Sequence, residues 1–179
     1  MIAVLALIAL RPPAALSDLP ANPGLEIRFT MERGGSFDIT TFPTVSHKTV
    51  AQILRLAKSG FYDRQRVHRV ESWVTQWGSP ASRTQPLNSD AVGDGESGHP
   101  LLFEMSDIDF TRGIVGSASN GLQMGGDSQL FVIKTDRLYL YHSYAVVGKV
   151  TRGMDVVDHI KKGDRIKSAT VLPYPVRTG

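Results

Sequence analysis

Leu25, Ile27, Phe29 and Met31 recur at every second position, and Phe37 and Ile39 take up the same beat after Glu32-Arg33-Gly34-Gly35. A period of two is that of a pleated strand with one buried face. The four-residue turn signal between the two runs makes them a β-hairpin, and Pro43 ends it. Seventeen Gly and ten Pro punctuate the chain. So many breakers suit a turn-rich fold of several strands and exclude a helical bundle.

The remaining segments are read in the same way. Val50, Ile53, Leu54 and Ala57 have helical spacing, which predicts a helix from Ser46 to Ser59, with Ser46 as its cap and Gly60 at its stop. Val67 to Gln76 reads as two short strands bent at Glu71-Ser72. Leu101–Phe103, 113–118, 129–135, 144–150 and 169–172 read as further strands, and 153–162 as a second helix stopped by Gly163. Polar, Gly-rich stretches at 84–100 and 119–127 are expected loops. Many short strands with two helices point to a mainly β fold, a closed antiparallel β-barrel or a sandwich.

Met1 to Leu10 is an uninterrupted apolar run. It is too short to span a bilayer, which needs about 20 residues, but matches the roughly 7–15 of a secretory signal. Ala15-Leu16-Ser17 offers small residues for cleavage before Asp18, although no Lys or Arg precedes the apolar run. The expected organisation is a signal at 1–17, a linker at 18–24, one domain at 25–172 and a tail at 173–179, in a periplasmic or secreted protein. Without a working signal the protein would be cytoplasmic. No stable membrane insertion is expected after processing.

Composition excludes several function classes. Cys is absent, so neither a disulfide scaffold nor a thiolate metal site is available. Twenty basic residues face seventeen acidic ones without a basic run, so no nucleic-acid partner is expected. The five His stand far apart, with no metal-type pair, and no metal is expected. Gly93-Asp94-Gly95-Glu96-Ser97-Gly98 fits a dinucleotide fingerprint in letters only. A polar loop precedes it, His99-Pro100 follows, and its acids would repel a pyrophosphate.

Two segments are more specific than scaffold. The first holds Phe61-Tyr62-Asp63, Val67-His68-Arg69-Val70 and Trp73-Val74-Thr75-Gln76-Trp77-Gly78. The second holds Arg112-Gly113-Ile114-Val115, Ala118-Ser119 and Gly126-Asp127-Ser128-Gln129-Leu130-Phe131. Tyr144 to Val150 and Gly153 to Val157 follow. In this order, from about Leu25 to Leu172, the series resembles the cyclophilin family of peptidyl-prolyl cis–trans isomerases. The resemblance implies a closed eight-stranded antiparallel barrel with a helix over each end. It implies rotation about X–Pro bonds without a cofactor, proline-containing peptides and unfolded chains as partners, and a monomer.

Such chemistry makes and breaks no covalent bond, so neither nucleophile nor metal is required. A fixed cation donating to the prolyl nitrogen would favour the twisted amide over the planar one. By resemblance Arg69 is that cation, Gln76 orients it, and Phe131 with Trp73 and Val74 lines the proline pocket. Tyr139, Leu140 and Tyr144 would form the other side, Ser119 beside Ala118 would contact the substrate backbone through main-chain groups, and Gln129 would be the second pocket glutamine that binds substrate. The chain departs from the family in a hairpin one residue shorter after Arg69, in Trp77-Gly78-Ser79 for Gly-Gly-Asp, and in Tyr139 and Tyr144 for the frequent Trp and His. A Trp at a position needing positive φ would be strained. A proline-binding chaperone on the same barrel, with little turnover, is the alternative; an unrelated hydrolase is a third.

Overall fold

The structure, a computed structural model, describes residues 24–172. The expected signal at 1–17, the linker apart from Gly24, and the tail at 173–179 lie outside the described residues. The strands are β1 (Glu26–Met31), β2 (Ser36–Thr41), β3 (Arg69–Val70), β4 (Val74–Trp77), β5 (Ile114–Ser117), β6 (Leu130–Ile133), β7 (Val146–Arg152) and β8 (Ile166–Leu172). The helices are α1 (His47–Lys58), α2 (Asp90–Gly93) and α3 (Met154–His159). Among the described residues no helix is long and apolar enough to cross a membrane.

All eight strands join one antiparallel sheet in the order β3-β4-β6-β5-β7-β2-β1-β8. The closed barrel expected from the sequence is corrected here to a curled half-barrel, because its end strands β3 and β8 share no ladder. Irregular chain lies across the seam instead. Val67 N donates to Asp164 O at 2.9 Å, Ile166 N to Gln65 O at 2.9 Å, and Arg66 and Arg165 form an isolated bridge. The physical reason is the brevity of β3, which has two residues before the chain turns back into β4.

The hairpin of β1 and β2 forms as its alternation dictates, with Ile27, Phe29, Phe37 and Ile39 buried. Helix α1 lays Val50, Ile53, Leu56 and Ala57 on this core. Its end is a Schellman turn: Phe61 N donates to Leu56 O and Gly60 N to Ala57 O, with Gly60 at φ 71°. Its start differs from expectation. The Ser46 hydroxyl makes no cap. Glu104 reaches in from the long loop instead, its carboxylate accepting from Lys48 N at 2.9 Å, Thr49 N at 2.7 Å and Thr49 Oγ1 at 2.7 Å. An anion suits this end of a helix dipole better than a hydroxyl.

Two further readings need correction. The expected two helices are three, because α2 forms one turn inside the stretch read as loop. The strand expected at Leu101–Phe103 is absent; Leu102 is 81% exposed and its segment has no ladder partner.

The feared strain at Trp77 does not arise. Trp77 lies in β4 at the centre of the core, edge-on to Phe29 and Phe37, with ring centroids 5.2 and 5.6 Å away. Gly78 takes the positive φ, 114°, and an added Cβ there would meet Cα of Gln129 at 2.5 Å. The glycine therefore provides both the backbone conformation and the close approach of β4 to the chain entering β6.

Candidate active site

Strand alternation divides the apolar residues between two faces of one sheet. Trp77 of β4, Val115 of β5, Leu130 and Val132 of β6 and Val147 of β7 point into the core beneath α1. The intervening Val74, Ile114, Phe131, Ile133 and Val146 point the other way. With Phe42, Phe110 and Leu140 they form a second cluster, edged by half-buried Trp73, Ala118 and Tyr144. An outer sheet face is ordinarily polar, so an apolar one asks for a ligand or a cover.

Register assembles the site along one row. Arg69 pairs with Gln76, Gln76 with Phe131, and Phe131 with Gly116. Residues remote in sequence thereby stand side by side on one face. Gly116 makes room for the row, since an added Cβ would lie 2.6 Å from Cε1 of Phe131 and 3.0 Å from Cε1 of Phe110. Phe131 then stacks on Phe110 at 5.7 Å and meets Tyr144 edge-on at 5.3 Å. These rings make an apolar recess with an aromatic wall.

A polar rail borders that recess. Arg69 Nη1 donates to Gln76 Oε1 at 3.4 Å, and Gln76 Nε2 donates to Gln129 Oε1 at 2.8 Å. Gln129 Nε2 then donates to Gly93 O at 2.7 Å and Gly95 O at 3.0 Å. The glycines that mimic a nucleotide fingerprint thus bring backbone carbonyls up to the rail. Both glutamine amides are oriented by partners on each side, which leaves Arg69 at the exposed end, its side chain 44% accessible.

Arg69 is also held from its own turn. Nε donates to Glu71 Oε1 at 2.7 Å, and the other carboxylate oxygen accepts from Trp73 Nε1 at 2.8 Å. The hydrogen bond from Arg69 holds the Glu71 carboxyl below its usual range. Two guanidinium groups lie over the Trp73 ring, Arg69 at 5.3 Å and Arg137 at 5.0 Å from its centroid. Neither Glu71 nor Arg137 was singled out from sequence; the signal available was an acid two residues from the arginine, inside a tight turn.

The remaining expected residues fall into place unevenly. Val74 and Leu140 are buried in the second cluster and form its floor. Tyr144 forms a wall, whereas Tyr139 is 72% exposed at the rim, on the single turn Leu138–Leu140. Ala118 N donates to Gln129 O at 2.9 Å, which ties the start of the 119–127 loop to the site. Ser119 is half-buried, and its hydroxyl donates to Gly121 O at 2.8 Å. The wall loop is anchored in turn: His142 Nε2 lies 2.8 Å from Asp107 Oδ1, and Gln123 N donates to Ser143 O at 2.8 Å. Phe110, Gly116 and the Asp107–His142 anchor escaped the sequence reading, because each acts only through a partner brought by the fold.

His68 precedes Arg69 but is buried, and neither ring nitrogen has a full hydrogen bond. Burial lowers its pKa to about 4; Lys162 and Arg69 push the same way, while the Gln129 side chain opposes the shift. A neutral His68 adds no competing charge beside Arg69.

Known proteins share the sequence pattern and the fold. The family "Cyclophilin type peptidyl-prolyl cis-trans isomerase/CLD" matches residues 26–177. A probable peptidyl-prolyl cis-trans isomerase of Brucella abortus (strain 2308) is 34% identical over 174 residues, covering 95% of this chain and 88% of the relative. Peptidyl-prolyl cis-trans isomerase B of Bacillus subtilis (strain 168) is 30% identical over 146 residues, covering 80% of this chain and 95% of the relative. In fold, the chain is similar to the crystal structure of a Cryptosporidium parvum cyclophilin type peptidyl-prolyl cis-trans isomerase. That match has a TM-score of 0.71 at 20% identity, over 85% of this chain and 99% of the other.

Proposed function

The chain belongs to the cyclophilin-type peptidyl-prolyl cis-trans isomerases, and from that premise we propose that it accelerates rotation about X–Pro bonds in proline-containing peptides and unfolded chains. The observation that carries the reading is the row Arg69–Gln76–Phe131, a donor cation beside an apolar recess. A structure of the Cryptosporidium parvum relative in the presence of the dipeptide Ala-Pro, with a TM-score of 0.68, supports a proline ligand for this fold.

The mechanism follows from what the uncatalysed reaction lacks. Amide resonance sets a barrier of about 18–20 kcal/mol, and rotation takes tens of seconds or more. Bringing it to about 1000 per second requires about 7 kcal/mol of help. The proline ring seats on Phe131 and Val74, against Tyr144 and Trp73. With the ring held, the acyl side of the bond is left to turn. An Arg69 N–H donates to the prolyl nitrogen, whose lone pair is free only when the amide is twisted. That bond is therefore stronger in the transition state than in the planar ground state, which is the condition for catalysis. The guanidinium suits the role, being permanently charged with a rigid fork of donors. Ala118 and Ser119 offer main-chain groups, and Gln76 its side-chain amide, to the flanking substrate backbone, while Gln129 holds the Gln76 amide in place.

Relaxation of a short X–Pro peptide, with the purified chain and with Arg69→Ala, tests this. Acceleration by the chain, lost by about 100-fold in the variant, is expected. Tight binding of the peptide without acceleration would instead establish the chaperone reading. We propose further that residues 1–17 direct export and are removed before Asp18, and that the mature protein acts as a monomer. The mass of the exported chain checks the first; an N-terminus still at Met1 would overturn it. Sedimentation checks the last.

A further inference from the structure

The turn between β3 and β4 carries a group for which the isomerase chemistry has no obvious use. Glu71 is an anion placed directly on the cation that the reaction requires. If its role were stability, it would be poorly sited. The pair is 44% and 43% exposed, where solvent and salt screen an ion pair and leave it little energetic weight. Its geometry is nonetheless specific. One carboxylate oxygen takes the Nε–H of Arg69 and the other takes the indole N–H of Trp73. The backbone of Glu71 is fixed as well, since Glu71 N donates to Val74 O at 2.9 Å and closes the tight turn.

The choice of donor matters. Nε lies on the inner edge of the guanidinium, so binding it removes the swing of the long side chain while leaving the Nη groups facing outward. Gln76 meets one of these, and Nη2 makes no hydrogen bond among the described residues. The same carboxylate fixes the Trp73 ring, which edges the proline recess. Cation and recess are thereby held at one spacing by a single side chain. The tight hairpin places both donors two positions from Glu71.

We propose that Glu71 is a positioning residue of this site, presetting the Arg69 fork and the Trp73 lip relative to each other before substrate arrives. This rests on the isomerase reading and deepens it. Preorganisation of this kind acts on turnover more than on binding, because the misplaced cation costs most in the twisted state.

The test compares wild type with Glu71→Ala and Glu71→Gln. Its readouts are kcat and KM on an X–Pro peptide, acrylamide quenching of tryptophan fluorescence, and Tm. Glu71→Ala is expected to lower kcat about 10-fold with KM changed less than about 3-fold. Glu71→Gln, which keeps one acceptor, should fall between. Tm should move by no more than about 2 °C, and Trp73 should become more quenchable while buried Trp77 stays shielded. An Ala variant as fast as wild type overturns the proposal, and a faster one overturns it and makes Glu71 a brake on Arg69. A wild type that does not isomerise overturns the parent reading instead. In that case the quenching still decides the clamp: unchanged Trp73 accessibility in both variants overturns it.

Discussion

Strands β4, β5, β6 and β7 each supply both apolar clusters, yet the two clusters behave as different materials. Beneath α1, Trp77, Phe29, Phe37 and Tyr62 interlock with centroid spacings of 5.2–5.6 Å and are fully buried or nearly so. On the opposite face, Phe131, Phe110 and Val74 are just as apolar, but the cluster ends in half-buried Trp73, Ala118 and Tyr144. Among the described residues no α-helix covers it; a polar rail from Arg69 to Gln129 runs along its border. One sheet can thus hold a core on one side and a recess on the other, provided that something closes the first and leaves the second open. Here α1 makes that difference.

The comparison is broken most severely at Trp77. Trp77→Ala should cost about 3–5 kcal/mol of stability, as for other large buried aromatics. Urea unfolding reads this directly, and a cost below that of Gly116→Ala would contradict the division of labour.

Acid should act on the core side as well. His68 titrates at about 4 when folded against an ordinary 6.5, so the unfolded chain takes up a proton that the folded chain refuses. This stability is fully present above pH 6.5 and is lost as pH falls toward 4. About 2 kcal/mol should disappear between pH 6.5 and 5, at roughly 1.4 kcal/mol per unit. Denaturant titrations across that range should be flatter for His68→Gln. Equal slopes in the two proteins would assign the loss to other groups.

On the recess side, Gly116→Ala should displace the Phe131 ring, with a cost of about 1–3 kcal/mol typical of overpacking. Its main signature should be a loss of kcat/KM of about 10-fold or more while the protein stays folded at 25 °C. A variant with intact turnover would show that the ring position does not set activity. Tyr139→Ala, on the exposed rim, should be the mildest change. Stability should stay within about 0.5 kcal/mol, as for ordinary surface positions. Any effect should appear as a modest rise in KM; a collapse of kcat would move Tyr139 from the rim into the working site.

The legibility of this fold followed the range of the interactions. The β1–β2 hairpin and the body of α1 were readable because alternation, helical spacing and Gly60 act within a few residues. Family-like motifs singled out the candidate residues, and Arg69, Gln76, Val74, Phe131, Leu140, Ala118 and Tyr144 lie on one face. The cap of α1 was misread, since Glu104 comes from a loop 55 residues downstream of Thr49. Barrel closure was misread too, because whether β3 and β8 share a ladder depends on the geometry of two distant ends.

By itself, the order of residues determined the β1–β2 hairpin, the body of the principal helix and the alternation that gives the sheet two faces, and it pointed to the candidate side chains. Only the tertiary structure decided which face α1 would seal, that Gly116 would admit Phe131, and that Glu71 would grip both Arg69 and Trp73. Periodicity is a local property carried by neighbouring residues. Register, coverage and side-chain pairing are relations between segments far apart in the chain, and these exist only once the sheet has formed.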